Sequence, residues 1–484
     1  MRRFVLPVLA VLAGVSVTAK PPRPLRTNAG LRYLDRHFAL YDSLQKRIHG
    51  YAETRYREYR SAELLCRHLE EQGFRVERGA GGLPTAFIAT FGTGRPVIGV
   101  MAEYDALPDM AQDTVPCRQR PDAGGAGHAC GHNLLGTGSV AGAVAVSKWL
   151  AEGHRGTIRL FGCPAEEGGG GKAYMMREGC FEGLDAMLDW HPDTRNTVNT
   201  QPGLANVQVR FTFHGRSAHA SGAPEQGRSA LDAVEAFDFM MNLMREHVPQ
   251  TTRIHYVITD GGRSPNVVPE RAEVLYYLRS PHREVVVELL GRALKAAEGA
   301  AMGTGTTFEH EVVSGNYERL PNRALSELLY RNLERVGGIR YDARERAFAV
   351  EMLRCSGRTD TAELARVSRV DPPSEEGLSA WVSSDVGNVT WGVPTGSFRI
   401  AAFVPAGSGH CWQQTASGGT TIGTKGAMQA ARVICLTFCD LCTDAAALAR
   451  VQAEFLDRRG PDFRFEPLMG DREPPVEAPA DNGT

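Results

Sequence analysis

The 484-residue chain carries 54 Lys and Arg against 56 Asp and Glu, which gives a formal net charge of −2. This balance, with no run of five basic residues, excludes the charge pattern of a nucleic-acid-binding protein and favours a small-molecule partner. Hydrophobic residues make up 42% and charged residues 23%, as in folded globular proteins, and the length predicts two or more domains.

The N-terminus has the order of a secretory signal peptide. Arg2 and Arg3 precede an apolar run that extends from Phe4 to Val17 and ends in small residues. The run is shorter than the about 20 residues that a membrane-spanning helix needs. We therefore expect a signal peptide at 1–19, cleavage near Ala19, export to the periplasm or the extracellular space, and no stable membrane span. The arginine pair leaves the twin-arginine route open, and a cytoplasmic location is the alternative.

Short β-rich runs alternate with helical segments in the first part of the chain, 20–203. The runs PVIGVMAEYD, GTIRLFGC and LDAMLDWHP are separated by helical patterns such as LLGTGSVAGAVAVSKWLAEG. This alternation predicts an α/β catalytic domain of three layers with a mixed, mostly parallel sheet. The segment 317–455 returns to the same pattern, so we expect it to supply the last strands of this domain.

Between these parts, residues 204–316 follow the order strand, helix, strand, strand, helix, strand. That order predicts an inserted ferredoxin-like domain. Residues 456–484 are rich in proline and acidic residues and are expected to form a C-terminal surface tail. Cys435, Cys439 and Cys442 lie at helical spacing, which predicts a buried helix face, because ligands spread over two turns cannot all reach one ion.

Unusual polar residues follow the predicted strands, where an open α/β sheet presents its functional groups. AEYD (102–105), CPAEEGGGG (163–171) and WHP (190–192) each follow an apolar run, and GHACGHN (127–133) precedes a helix. Residues two apart in an extended loop project to one side, so Cys130 and His132 can bind one cation. Adjacent Glu166 and Glu167 diverge, so one can bind a metal while the other acts as a base.

The stretch EEGGGGKA superficially resembles a phosphate-binding loop, but it departs from that motif. Glu166 and Ala173 occupy positions where the motif requires glycine and Ser or Thr. An acid at the start of the loop would repel phosphate, so nucleotide binding is excluded. His191 and His410 each follow an apolar segment at a proline or glycine break, which makes them further candidate ligands.

Taken together, the motifs AEYDALP, GHACGHNLLGT, GCPAEEGGGGK, DWHP, SAHAS, SPNVVPE and SDVGNVTW resemble the amidohydrolase branch of the M20 metallopeptidases, from about residue 30 to 445. The resemblance implies two divalent metal ions per subunit, Zn or Mn. The implied ligands are Cys130 as the bridge, with His132, Glu167, His191 and His410. Glu103 stands where other members have a liganding histidine, so its role stays open, and His128 matches no ligand position and is expected to be structural.

The resemblance also implies the remaining functional residues. Glu166 matches the general base, and Asp105 matches the carboxylate that orients the site. The inserted domain is implied to dimerise and to act as a lid, with His219 reaching the active site of the partner. Asn266 and Arg279 match positions that contact a substrate carboxylate.

The implied reaction is hydrolysis, by metal-activated water, of the amide bond in p-aminobenzoyl-glutamate or a related N-acyl amino acid with a free carboxylate. A dipeptidase or an N-acyl-amino-acid hydrolase using the same site is the alternative, and a non-catalytic metal-dependent binding protein is a more distant one. A homodimer is expected, with a second homologous subunit as the other possibility.

Overall fold

The computed structural model describes residues 28–122, 124–373 and 382–476. The signal peptide expected at 1–19 and the last residues of the expected tail lie outside the described residues. No described helix combines the length and the apolar character that crossing a membrane would require.

The described strands fall into two sheets, and helices pack on both. The strands are β1 (Arg75–Arg78), β2 (Phe87–Thr93), β3 (Val97–Ala102), β4 (Gly156–Gly162), β5 (Ala186–Asp193), β6 (Thr197–Asn199), β7 (Ala205–His214), β8 (Arg253–Asp260), β9 (Arg271–Ser280), β10 (Thr307–Asn316) and β11 (Thr395–Ala401). The helices are α1 (Ala29–Arg36), α2 (Phe38–Tyr51), α3 (Tyr59–Glu71), α4 (His132–Leu150), α5 (Gly171–Arg177), α6 (Ala230–Met244), α7 (Arg283–Thr304), α8 (Arg323–Val336), α9 (Ala343–Cys355), α10 (Val386–Gly392), α11 (Trp412–Gly418), α12 (Thr421–Thr443) and α13 (Ala445–Arg459).

The larger sheet has the strand order β1-β2-β4-β3-β5-β11-β6. Its four central strands, β4, β3, β5 and β11, run parallel, whereas the outer pairings are antiparallel. The prediction of an α/β domain with a mixed, mostly parallel sheet is thus confirmed in the centre of the sheet. β11 comes from the C-terminal third of the chain, as expected, and pairs directly with β5.

Helix α4 lies in the core because its residues are small enough for close packing. A Cβ at Gly138 would lie 2.6 Å from the Trp190 ring, and one at Gly142 would lie 3.0 Å from Ile434 of α12. This close approach fixes the first turn of α4, which starts at His132, against the carboxyl edge of the sheet.

On α12, Cys435 and Cys439 are buried as the helical spacing predicted, and Cys442 is partly buried.

The smaller sheet, in the order β10-β7-β9-β8, is antiparallel throughout. Helices α6 and α7 cover it, so the segment follows the strand–helix–strand–strand–helix–strand order of a split β-α-β unit. Its core is separate from that of the larger sheet and includes Phe211, Phe237, Tyr276 and Leu289. We call this unit the insert.

The chain beyond α13 does not lie free on the surface as expected. Met469 is buried in a cluster of the catalytic domain, and Leu468 packs against the core of the insert. Arg472 pairs with Glu311 of β10 at 2.8 Å and donates to the Tyr174 hydroxyl at 3.2 Å. Leu468, Met469 and Arg472 therefore anchor the segment 460–476, which we call the strap, to both domains.

A disulfide that the sequence did not predict joins Cys117 to Cys355. Cys117 lies in the long loop between β3 and α4, and Cys355 ends α9. The bond therefore fastens the loop that leads into the GHACGHN motif to a helix from the C-terminal third of the chain.

Candidate active site and metal centre

The predicted site residues meet at the carboxyl edge of the larger sheet. Glu103 and Asp105 directly follow β3, the loop Ala165–Gly169 follows β4, and His191 lies near the end of β5. Parallel neighbouring strands end at the same edge, which is why these segments come together. We call Ala165–Gly169 the acidic loop, because it carries Glu166 and Glu167.

Cys130 belongs to two groups of potential metal ligands. One group is Cys130, His132 and His191, and the other is Cys130, Glu167 and His410; in each group the donor atoms all lie within 4.8 Å of one another. Cys130 Sγ lies 3.3 Å from His191 Nε2, and His410 Nε2 lies 3.6 Å from Glu167 Oε1. The structure thus brings together all five side chains singled out as ligands and places the sulfur where both groups share it.

The conformation of Gly131 explains how the motif brings its two candidate ligands, Cys130 and His132, together. Gly131 adopts φ +82°, a conformation that favours glycine, and a Cβ there would lie 2.5 Å from the Phe403 ring. Glycine therefore turns the chain between Cys130 and His132, so that both side chains face one side. His128 faces away: its Nε2 lies 3.1 Å from the Ile48 carbonyl, which gives it the structural position expected.

Hydrogen bonds orient the two buried histidines toward the centre. His191 Nδ1 donates to the Pro192 carbonyl at 2.7 Å, and His132 Nδ1 lies 2.7 Å from Asp105 Oδ1. Each ring therefore directs Nε2 inward. Burial, with smaller contributions from the charges of Arg399 and His132, lowers the pKa of His191 to about 4. Its imidazole is therefore neutral near pH 7, which is the form that binds a cation.

Two buried polar atoms that make no hydrogen bond within the described chain indicate that a metal ion fits these residues. His132 Nε2 and Glu167 Oε1 are buried and make no hydrogen bond among the described residues, although each lies close to a group of opposite charge, Glu103 and His410 respectively. Such atoms are rare in folded proteins, and a cation in each of the two ligand groups would satisfy them. Burial, together with the charge of Glu167, raises the pKa of the Cys130 thiol, so the thiolate needs a neighbouring cation. A donor set of sulfur, nitrogen and oxygen suits Zn²⁺ and also admits Mn²⁺.

Glu103, whose role the sequence left open, belongs to a buried ion network. Lys172 Nζ lies 2.6 Å from Glu103 Oε1 and 2.6 Å from Asp385 Oδ1, and the lysine side chain is fully buried. Glu103 Oε2 lies 3.2 Å from His132 Nε2. Lys172 thus compensates the charge of a carboxylate beside the candidate metal ligands. The sequence pattern does not reveal Lys172 and Asp385 as partners, because they lie 213 positions apart in the chain.

Glu166 lies beside this network. A carboxylate oxygen of Glu166 falls within 4.8 Å of donor atoms of Glu103 and His132. Burial, followed by the charges of Glu103 and Glu167, raises the pKa of Glu166 well above its usual value. The structure therefore places Glu166 next to the ligand groups, where a carboxylate could take up a proton.

His219, Asn266 and Arg279 all lie on the insert. His219 is exposed and neighbours Asn266, whose carbonyl accepts the Ala220 N–H at 3.0 Å. Neither His219 nor Asn266 belongs to the ligand groups formed within the described part of one chain. Arg279 stacks over the Tyr277 ring at 4.5 Å, and its Nη1 lies 3.4 Å from the Ser383 hydroxyl of the catalytic domain. Arg279 is therefore at the junction of the two domains.

Comparison with known proteins adds an independent finding. A family model described as peptidase family M20/M25/M40 matches residues 99–410. The chain is 39% identical over 440 residues to the B subunit of p-aminobenzoyl-glutamate hydrolase from Escherichia coli, covering 86% of this chain and 91% of that protein. It is 31% identical to a mouse Xaa-Arg dipeptidase, covering 61% of this chain and 68% of the relative.

A solved structure supports the fold. The Bacillus subtilis YXEP protein, described as a dinuclear metal binding peptidase from the M20 family, superposes with a TM-score of 0.54 at 18% identity. The match covers 83% of this chain and 99% of that chain.

Proposed function

Because this chain belongs to peptidase family M20/M25/M40 and is a metal-dependent amidohydrolase, we propose that it cleaves the amide bond of p-aminobenzoyl-glutamate or a closely related N-acyl amino acid. The observation that carries the proposal is the pair of ligand groups that share Cys130 beside Glu166. The substrate is taken from the relative that matches most of both chains, the p-aminobenzoyl-glutamate hydrolase of Escherichia coli.

The metal centre would hold two divalent ions, Zn or Mn. Cys130, His132 and His191 would hold one ion, and Cys130, Glu167 and His410 would hold the other. The dinuclear metal binding ascribed to the YXEP protein supports this count. When bound, such ions lower the pKa of a water molecule, polarise the amide carbonyl and stabilise the negative charge that develops on its oxygen.

The protein side chains would then handle protons and orientation. Glu166 would take a proton from the attacking water at its carboxylate and return it to the leaving nitrogen. The hydrogen bond between Asp105 Oδ1 and His132 Nδ1 would hold His132 in the tautomer that leaves Nε2 free to bind the metal. Arg279 and Asn266 would bind the free carboxylate of the substrate from the insert.

The insert would also complete the active site of a second subunit. Its edge strand β8 is unpaired on one side among the described strands. Val257 of β8 and Phe239 and Leu243 of α6 each expose more than half of their surface. An open sheet edge beside exposed apolar residues is typical of an interface. We therefore expect a homodimer in which His219 reaches the partner and donates to the developing oxyanion. A second homologous subunit is the alternative, because the Escherichia coli relative is named as one subunit of its enzyme.

Export is proposed from the N-terminal pattern, with residues 1–19 as the signal peptide. The disulfide between Cys117 and Cys355 supports it, because persistent disulfides are rare in the cytosol. N-terminal sequencing of the protein isolated from its host should show a start near residue 20. A mature chain that starts at Met1, with both cysteines reduced, would indicate the cytoplasmic alternative.

A substrate panel tests the reaction. The metal-loaded protein should show its highest kcat/KM on p-aminobenzoyl-glutamate, compared with Xaa-Arg and other dipeptides and with N-acetyl amino acids. A higher value on dipeptides or on acyl amino acids would favour the alternative activities. A metal content below one ion per chain, with no turnover of any compound, would favour a binding protein.

A further inference from the structure

The segment between α2 and α3 contacts two of the loops that build the active site, the loop after β3 and the acidic loop. The Ala106 N–H, next to Asp105, donates to the Glu53 carbonyl at 2.8 Å. The Glu58 carboxylate accepts the Ala165 N–H at 2.9 Å, and the Tyr56 hydroxyl donates to the Gly169 carbonyl at 2.6 Å. The acidic loop is therefore held at its first and its last residue by side chains two positions apart in the sequence.

The backbone explains why the loop needs this support. Ala165 has φ +58° and Tyr56 has φ +62°, in the left-handed region that residues with a side chain rarely adopt. A single oxygen, Glu58 Oε1, accepts the N–H groups of both residues at 2.9 Å. Oε2 accepts the Thr85 hydroxyl, also at 2.9 Å, and Glu58 is fully buried. Glu58 thus stabilises two strained turns together.

We propose that Tyr56 and Glu58 are positioning residues for amide hydrolysis, which hold the acidic loop so that Glu167 faces the metal and Glu166 faces the reacting water. This inference rests on the proposed roles of Glu166 and Glu167. Small displacements at such a site are costly, since moving a catalytic group by about 1 Å can reduce the rate roughly a hundredfold.

Glu58 acts in this arrangement through its hydrogen bonds. Burial, with the nearby charge of Asp105, raises the pKa of Glu58 to about 8, so an uncharged amide is a close substitute at neutral pH. In Glu58→Gln, the amide oxygen can accept the same two N–H groups, and the amide nitrogen can donate to the Thr85 hydroxyl. Glu58→Met keeps a similar length but offers neither contact.

The first experiment compares kcat and KM of metal-loaded variants on p-aminobenzoyl-glutamate. We expect kcat to fall about tenfold to a hundredfold in Glu58→Met and about tenfold in Tyr56→Phe, with KM within about twofold, because loop geometry and not substrate affinity changes. Glu58→Gln should stay within about threefold of the wild type. Tyr317→Phe is the matched control, since its buried hydroxyl donates to the Glu466 carbonyl at 2.7 Å, away from the loop.

A rescue variant separates positioning from general stability. Glycine adopts positive φ without support. The double variant Glu58→Met, Ala165→Gly should therefore have a kcat at least about fivefold higher than Glu58→Met alone. The visible absorption of the cobalt-substituted protein, which reports the ligand field at Glu167, should shift in Glu58→Met and return toward the wild type in the double variant.

The proposal is overturned if Glu58→Gln loses as much kcat as Glu58→Met, if Tyr317→Phe loses as much as Tyr56→Phe, or if the glycine brings no recovery. Circular dichroism and thermal melting show whether Glu58→Met folds; if it does not, Tyr56→Phe and its control decide. Should the wild type hydrolyse no amide at all, the proposed function fails, and the cobalt spectra still decide whether Tyr56 and Glu58 position the loop.

Discussion

Asp105 and His132 are joined by a 2.7 Å contact between Oδ1 and Nδ1, and both side chains are buried. The other oxygen of Asp105 accepts the backbone N–H of Glu167 at 2.9 Å. One carboxylate therefore orients a ligand from each of the two groups that meet at Cys130.

Asp105→Asn should weaken metal binding. The amide can no longer fix the His132 ring through a charge-assisted bond, and losses of about tenfold to a hundredfold in metal affinity are usual when such a partner is changed. Competition with a chelator measures the affinity directly. Asp185→Asn is the control, because Asp185 pairs with Arg95 at the opposite end of the sheet and should leave the affinity unchanged. Equal losses in both variants would remove the orienting role from Asp105.

Glu166→Ala should retain the metal and lose turnover. A general base contributes typically about a hundredfold to ten-thousandfold to the rate, and Glu166 belongs to neither group that contains Cys130. Elemental analysis of the purified variant, together with kcat, separates the two effects. A variant that keeps a near-normal rate would show that another group accepts the proton.

Mixed dimers test whether His219 acts on the partner. His219→Ala and Glu166→Ala should each be nearly inactive. If His219 completes the site of the other subunit, subunit exchange between the two variants creates one intact site in each mixed dimer. An equimolar mixture of the variants should then recover about one quarter of the wild-type activity. Activity that stays at the level of the separate variants would instead place His219 in its own subunit's site.

The stability of the insert should depend on pH through Asp238. The Asp238 carboxyl contacts the Tyr276 hydroxyl, and burial raises its pKa from 3.8 to about 6 even though that hydrogen bond lowers it. A carboxyl whose folded pKa is raised stabilises the fold fully below about pH 4, and this contribution is lost as the pH rises through about 6.

Asp238→Asn should remove this dependence. Urea midpoints of the wild type and the variant, measured from pH 4 to pH 7, should diverge in favour of the wild type at the acidic end, because all other titrating groups are common to both. Two curves that remain parallel over this range would exclude a stabilising neutral form of Asp238.

The sequence was sufficient to predict which residues meet where their placement depends on local spacing. Cys130 and His132 flank one glycine, and Glu166 and Glu167 follow a strand, so the position of each could be inferred from its neighbours. The side chains that support them could not be inferred. Glu58 reaches Ala165 across 107 positions and Lys172 reaches Asp385 across 213, and these contacts depend on how helices and strands pack. The apolar residues that Leu468 and Met469 pack against could not be inferred for the same reason.

The strap changes how the insert can move. A domain inserted through two neighbouring linkers can pivot about them, but here the strap adds a third connection between the two domains. Arg472 joins Glu311 of the insert to Tyr174 of α5, the helix that directly follows the acidic loop. The strap therefore limits how far the insert can pivot, and a protease that cut ahead of Leu468 would release that limit without touching a candidate ligand.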